Sequence, residues 1–156
     1  METVEHLRGQ LLQIERRLRQ IEKSSEYSQT IFLLKTVPGV ALITSLTIIT
    51  EIENIERFPS LDKLCSFVGL VPSTNSSGDH ERVGNITPRS NKQLRSMLIE
   101  SAWIAIRQDP ALMMRYGELR QRLDSNKAIV KIAKKLLSRI KHVLKNKEPY
   151  EKGIVK

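Results

Sequence analysis

Three features of the 156-residue sequence predict an all-α fold: aromatic residues make up only 4%, apolar residues recur at intervals of three and four along most of the chain, and helix start and stop signals separate those stretches. A β-sandwich or barrel relies on aromatic and β-branched pairs broken by frequent turns, which this composition does not supply. Hydrophobic residues at 40% and charged residues at 28% suit a packed core and exclude global disorder. A chain of this size is one domain, or one domain with an appendage, and buries roughly two thirds of its unfolded surface.

The first element is a helix with a heptad pattern. Val4, Leu7, Leu11, Ile14, Leu18 and Ile21 occupy a and d positions, and Arg17 and Glu22 have g-to-e spacing for an interchain ion pair. The stripe has two destinations, a coiled coil with another copy or the protein's own core. Ser24, Ser25 and Ser28 end it. From Ile31 to Ile52 an apolar stretch is broken by Pro38-Gly39, so one helix ends near Thr36 and a second begins around Leu42, with Leu42, Ile43, Leu46, Ile49 and Ile52 as its expected buried set. This is the outline of a helix-hairpin-helix, a unit that offers turn amides and a helix N-terminus to a phosphate. An ordinary helical corner has the same outline.

Phe58-Pro59 breaks the chain again. Ser60 is placed to cap a short helix carrying Leu61, Leu64, Phe67 and Val68, which Gly69 stops. Residues 72–90 form the longest segment without a helical period and are dense in Ser, Thr, Asn and Gly, so a long irregular loop is expected there. A helix from Asn91 to about Arg107 carries Leu94, Met97, Leu98, Ala102 and Ala105. Asp109-Pro110 then supplies an N-cap and an N1 proline for a helix with Leu112, Met113, Tyr116 and Leu119 inward. The last helix turns Ile129, Ala133, Leu136, Ile140 and Val143 inward. It also carries Lys127, Lys131, Lys134, Lys135, Arg139, Lys141, Lys145 and Lys147 with no acid among them. The expected organisation is a coiled-coil-like helix over 1–28, a helical domain over 29–150 (helix-hairpin-helix-like unit 31–52, polar loop 72–90, bundle 91–147) and a tail over 151–156.

The net charge of +9 favours a polyanionic partner, nucleic acid first. A solvated face and a phosphate surface are the two meanings of the basic last helix. No apolar run approaches the ~20 residues of a membrane span, and no leader-like segment opens the chain, so a cytoplasmic protein without a membrane partner is expected. Cys65 stands alone in an apolar stretch and reads as a small buried hydrophobe. His6, His80 and His142 lack ligand spacing, so no metal site is expected in this chain.

Several segments fall in a familiar order: Leu34-Lys-Thr-Val-Pro-Gly39, Ile55-Glu-Arg-Phe58, Phe67-Val-Gly-Leu-Val-Pro72, Ser77-Gly78, Gly84-Asn-Ile-Thr87, Asn91-Lys-Gln-Leu-Arg95, Lys127-Ala-Ile-Val and Pro149-Tyr150. Together they resemble the C-terminal domain of the insertion-sequence-110 (110/116/902) family transposases, which are bridge-RNA-guided DNA recombinases. The resemblance runs from roughly Leu7 to Tyr150. It implies a helical transposase domain with a nucleophilic serine, a catalytic role for the loop 72–90, and a separate RuvC-like module with acidic ligands for a divalent metal. No such module precedes the heptad segment, so the chain is expected to be a fragment without a cofactor of its own.

By position the family serine falls on Ser77, with Ser76 as the neighbour an alignment slip would choose. Arg82, Arg89 and Arg95 are the catalytic cations in sequence reach. Gly39, Lys92, Lys127, Lys131, Lys134, Lys135 and Arg139 are the expected DNA-binding residues. DNA, a guide RNA, the RuvC-like module and further copies of the chain are the implied partners. His80 as general base is not required by the resemblance. The chain departs from the family pattern at Pro38-Gly39-Val40-Ala41, where Pro-Gly-Ile-Gly is usual. It departs again at Gly84-Asn85-Ile86-Thr87-Pro88-Arg89-Ser90-Asn91, which has two fewer cations than the usual run. The alternative function is a non-catalytic helix-hairpin-helix DNA-binding or scaffold protein.

Overall fold

A computed structural model describes residues 2–77, 80–86 and 90–153, with side chains for 3–71 and 90–153. Its body is all helical, as the periodicity predicts. The helices are α1 (Glu2–Glu22), α2 (Ser28–Lys35), α3 (Leu42–Ile52), α4 (Leu61–Val68), α5 (Lys92–Gln108), α6 (Pro110–Arg120) and α7 (Ser125–Asn146), with a short 3-10 turn at Ile55–Arg57. One core cluster runs through α2 to α7.

Helix α7 is the axis of that core. Ala128, Ile129, Ile132, Ala133, Leu136, Leu137, Ile140 and Val143 are all buried, an arc wider than one amphipathic stripe, because α2, α4, α5 and α6 all pack on it. Helix α1 packs on α2 and α3 and, unlike α2 to α7, contributes no residue to the core cluster. Val4, Leu7, Leu11 and Ile14 are each more than half exposed, so the heptad stripe does not serve the chain's own core.

The caps read from sequence at Ser60, Gly69 and Asp109 are formed, and Asn91 adds one at the start of α5. Ser60 Oγ accepts from Lys63 N–H at the start of α4, and Gly69 ends it at φ +83°. Asn91 Oδ1 accepts from Leu94 N–H, and Asp109 Oδ1 accepts from Ala111 and Leu112 N–H above the N1 proline.

Three expectations are corrected. The buried face of α3 is Ser45, Ile48 and Ile52, while Ile43 is exposed. Apart from Glu51 that helix consists of apolar residues and hydroxyl side chains, so its spacing does not select a face. Its hydroxyls are satisfied locally, Ser45 Oγ donating to Ala41 O and Thr47 and Thr50 to Ile43 O and Leu46 O. In α6 only Leu112 is buried, and Met113 faces solvent. Finally, the backbone of the expected irregular loop pairs as an antiparallel hairpin, β1 (Pro72–Ser77) with β2 (His80–Ile86). A polar two-stranded ribbon has no apolar alternation to betray it.

Pro38-Gly39 joins α2 to α3 in a tightly packed corner. Gly39 has φ +78°, and a Cβ there would sit 2.2 Å from the Ser101 carbonyl oxygen of α5. Its N–H donates to Gln108 Oε1 at 3.3 Å. Only glycine allows α5 to approach this closely.

Candidate functional site

The hairpin rises from a root that three helices hold. On the entering side, the N–H groups of Gly69 and Leu70 both donate to Cys65 O at 2.8 Å, turning the chain sharply out of α4. On the returning side every hydrogen-bonding group of Asn91 is engaged. Its N–H donates to Phe67 O at 3.1 Å, its carbonyl accepts from Arg95 N–H, its Oδ1 caps α5, and its Nδ2 donates to Glu51 Oε2 of α3. Arg95 Nη1 donates to Ser90 Oγ at 3.1 Å, and Ser90 fills the space beside Gly69, where a Cβ would meet its Oγ at 2.3 Å. The two strands therefore leave the body side by side, with α3, α4 and α5 setting their origin.

Register carries the chain away from that root. Ser77 pairs with His80, Ser76 with Glu81, Asn75 with Arg82 and Thr74 with Val83; beyond a bulge, Pro72 pairs with Ile86. At about 3.3 Å per residue, Ser77 lies roughly 17 Å along the strand from Pro72. The expected site residues thus divide. Ser76 and Ser77 occupy the outer end of β1, and Arg82 is at a register position near them on β2. Lys92 and Arg95 are at the root, on the first turn of α5. Arg89 and Gly78 lie outside the described residues. Gly39 sits in the packed α2–α3 corner.

The cations of α7 form two groups. Lys134 Nζ lies 3.1 Å from Asp62 Oδ1 of α4, and Lys141 Nζ donates to Phe58 O at 2.8 Å, so these two tie α7 to its neighbours. Lys127 pairs with Asp124, the N-cap residue of its own helix, at 3.2 Å. Lys131, Lys145 and Lys147 are exposed, while Lys135 and Arg139 are half-buried. Exposed pairs such as Lys134–Asp62 and Lys127–Asp124 contribute about 0–1 kcal/mol, little enough for a polyanion to displace the acid.

Three features escaped the sequence. Glu51 belongs to the hairpin root, Arg57 lies over two phenylalanine rings, and buried Asp109 joins a latch with half-buried Tyr150 of the tail. The motifs Ile55-Glu-Arg-Phe58 and Pro149-Tyr150 pointed at the last two without saying what they touch. Cys65 is fully buried, and burial pushes its thiol up from the ordinary value, in keeping with an inert hydrophobe. Among the described residues no group of three or more His, Cys, Asp or Glu is placed to hold a metal, and no helix is long and apolar enough to cross a membrane. A groove of about 420 Å³ between α2, α3, the 3-10 turn and the end of α7 is lined by none of the root residues.

A helical body that projects a pinned polar hairpin between α4 and α5, in a chain of net charge +9, defines the class, a basic helical domain with an outlying two-stranded arm. The chain belongs to the transposase IS116/IS110/IS902 family, whose model matches residues 32–118. It is 30% identical over 143 residues to a transposase for insertion sequence element IS1111A from Coxiella burnetii, an alignment covering 89% of this chain and 38% of that protein. It is 37% identical over 70 residues to a putative transposase of Sinorhizobium fredii, covering 45% and 18%. It is 27% identical over 157 residues to a pilin gene-inverting protein of Moraxella bovis, covering 98% and 49%. The chain thus spans less than half the length of these relatives.

The tail latch yields a pH-dependent stability. Tyr150 N–H donates to Thr36 Oγ1 at 2.7 Å, and its hydroxyl donates to Asp109 Oδ2. Burial first, then the hydrogen bond and charge of Asp109, push the phenol far above its ordinary 10.0. A raised phenol favours the neutral form in the fold. Its stabilisation is complete below pH 10 and is lost as pH rises beyond it. Tyr150→Phe is expected to lower stability at pH 7 by about 1–2 kcal/mol and to blunt the alkaline decline. Urea unfolding at pH 7 and above pH 10 checks both, and equal alkaline loss in native and variant proteins would refute the latch.

Proposed function

We propose that this chain is the DNA-binding, serine-bearing part of a transposase that exchanges DNA strands site-specifically to move an insertion sequence. One observation carries the proposal: in a member of this family, two adjacent serines occupy the outer end of a hairpin whose root is pinned by α3, α4 and α5. A nucleophile so placed can enter a DNA groove while the body stays outside it.

The chemistry needs few parts. Ser77 Oγ forms a bond to the phosphorus of a phosphodiester as one bridging P–O bond breaks, and the departing DNA hydroxyl leaves with a proton in exchange for the one the serine gives up. The phosphoserine diester conserves the bond energy, so the hydroxyl of a second DNA end can attack it, rejoin the strand and free the serine without a nucleotide cofactor. Ser76 is the alternative nucleophile. Arg82 and Arg89 supply positive charge to the developing phosphorane, and Lys92 and Arg95 at the root hold flanking phosphates. Lys127, Lys131, Lys134, Lys135 and Arg139 bind DNA backbone, and the Gly39 corner is a further backbone contact. The whole protein adds a RuvC-like module with its divalent metal and a guide RNA. The α1 stripe, exposed here, is covered by α1 of a second copy, because six unburied apolar positions in heptad register are best buried against their like.

Two outcomes test this. In the full-length protein, Ser77→Ala should abolish strand exchange and the covalent protein–DNA adduct while DNA affinity and thermal stability stay near native. Full recombination by that variant, or an adduct mapped to Ser76, would overturn the assignment. In sedimentation, the native chain should associate, and Leu11→Gln with Leu18→Gln should render it monomeric; a native monomer would remove α1 as an interface.

A further inference from the structure

Arg57 ends the 3-10 turn, and its guanidinium lies 5.2 Å from the centroid of the Phe58 ring and 5.6 Å from that of Phe67. The two rings are 5.2 Å apart and tilted by 51°, a platform formed by one buried and one half-buried side chain. The Arg57 side chain is 46% exposed, so part of the guanidinium meets the rings and part meets solvent. Its acidic neighbour, Glu53, is 3.6 Å away and 75% exposed, a long contact in water that a stronger anion can replace. Stacking fixes the planar fork of an arginine before any ligand arrives, and a fork fixed in this way suits the paired oxygens of a phosphodiester.

Its place in the fold gives this geometry a use. The backbone carbonyl of Phe67, whose ring Arg57 covers, accepts the Asn91 N–H that pins the returning strand, so the platform adjoins the hairpin root. From the other side Lys141 reaches the Phe58 carbonyl and Lys134 reaches Asp62, so cations of α7 converge on the same edge. We infer that Arg57 is a phosphate-contacting residue and that the edge formed by the 3-10 turn and α4 is a DNA-backbone track linking the α7 cations to the hairpin. The inference rests on the proposal that the hairpin serine acts on DNA, and that proximity selects DNA over RNA as the occupant. Ser77 is roughly 17 Å along the strand from Pro72, which follows the root.

The test is fluorescence anisotropy of the chain with a short labelled DNA duplex across a salt series, repeated with RNA of the same sequence. Arg57→Gln should weaken DNA binding about five- to tenfold and reduce the slope of log affinity against log salt by about 0.9, the value for one lost phosphate contact. Arg57→Lys, which keeps the charge but not the fork, should retain the slope and bind with intermediate affinity. Arg122→Gln, a cation removed between α6 and α7, should change neither. Arg57→Gln behaving like the native chain or like Arg122→Gln, full affinity in Arg57→Lys, or weakening confined to RNA would each overturn the assignment while leaving DNA binding itself intact. Absence of salt-dependent DNA binding by the native chain would remove the underlying reading as well, and it is visible before any variant is made.

Discussion

The burial of α7 is the constraint on which the other elements depend. With Ala128, Ile129, Ile132, Ala133, Leu136, Leu137, Ile140 and Val143 all removed from solvent, α2, α4, α5 and α6 must each present an apolar face to one helix. Each buried Leu or Ile contributes about 1.5–3 kcal/mol of transfer free energy, which makes this helix the largest contributor to holding the body together. The same arc leaves its basic residues only a narrow strip. Lys134 and Lys141 fall at the edge of that strip and meet α4 and the Phe58 carbonyl, which joins the packing of the core to the charge distribution of the surface.

From this body the hairpin is projected by a small set of polar contacts. Asn91 is the centre of them, because it caps α5, accepts the turn of that helix, holds the Phe67 carbonyl and reaches Glu51. A two-stranded ribbon alone in water is marginal, so its direction depends on such a root. Gly69 serves the same end by leaving room for Ser90. The hairpin is thus anchored at the root, whereas the serines lie at the other end of the strands.

Much of this was legible in the sequence, and for identifiable reasons. Ser60, Asn91 and Asp109 announce helix starts because their side chains accept backbone N–H groups, and Gly69 announces an end because it tolerates positive φ. The heptads of α1 and the inward residues of α7 follow from spacing alone. The face of α3 was illegible because almost every position is apolar or a hydroxyl that bonds back to its own helix. The hairpin was illegible because a polar ribbon lacks alternation. Of the site, the resemblance named Ser77 and the neighbouring cations, but no pattern in one dimension shows that Arg57 lies over two rings or that Glu51 joins Asn91 across forty residues.

The account requires one continuous surface, running from the exposed strip of α7 across the 3-10 turn and α4 to the hairpin. Hydrogen exchange of the chain with and without duplex DNA, read by mass spectrometry, tests that most directly. DNA should slow exchange in 55–68, in 72–86 and in the solvent-facing part of α7, and leave α6 unchanged. Slowing confined to α6, or no slowing in the hairpin while DNA is bound, would contradict the account.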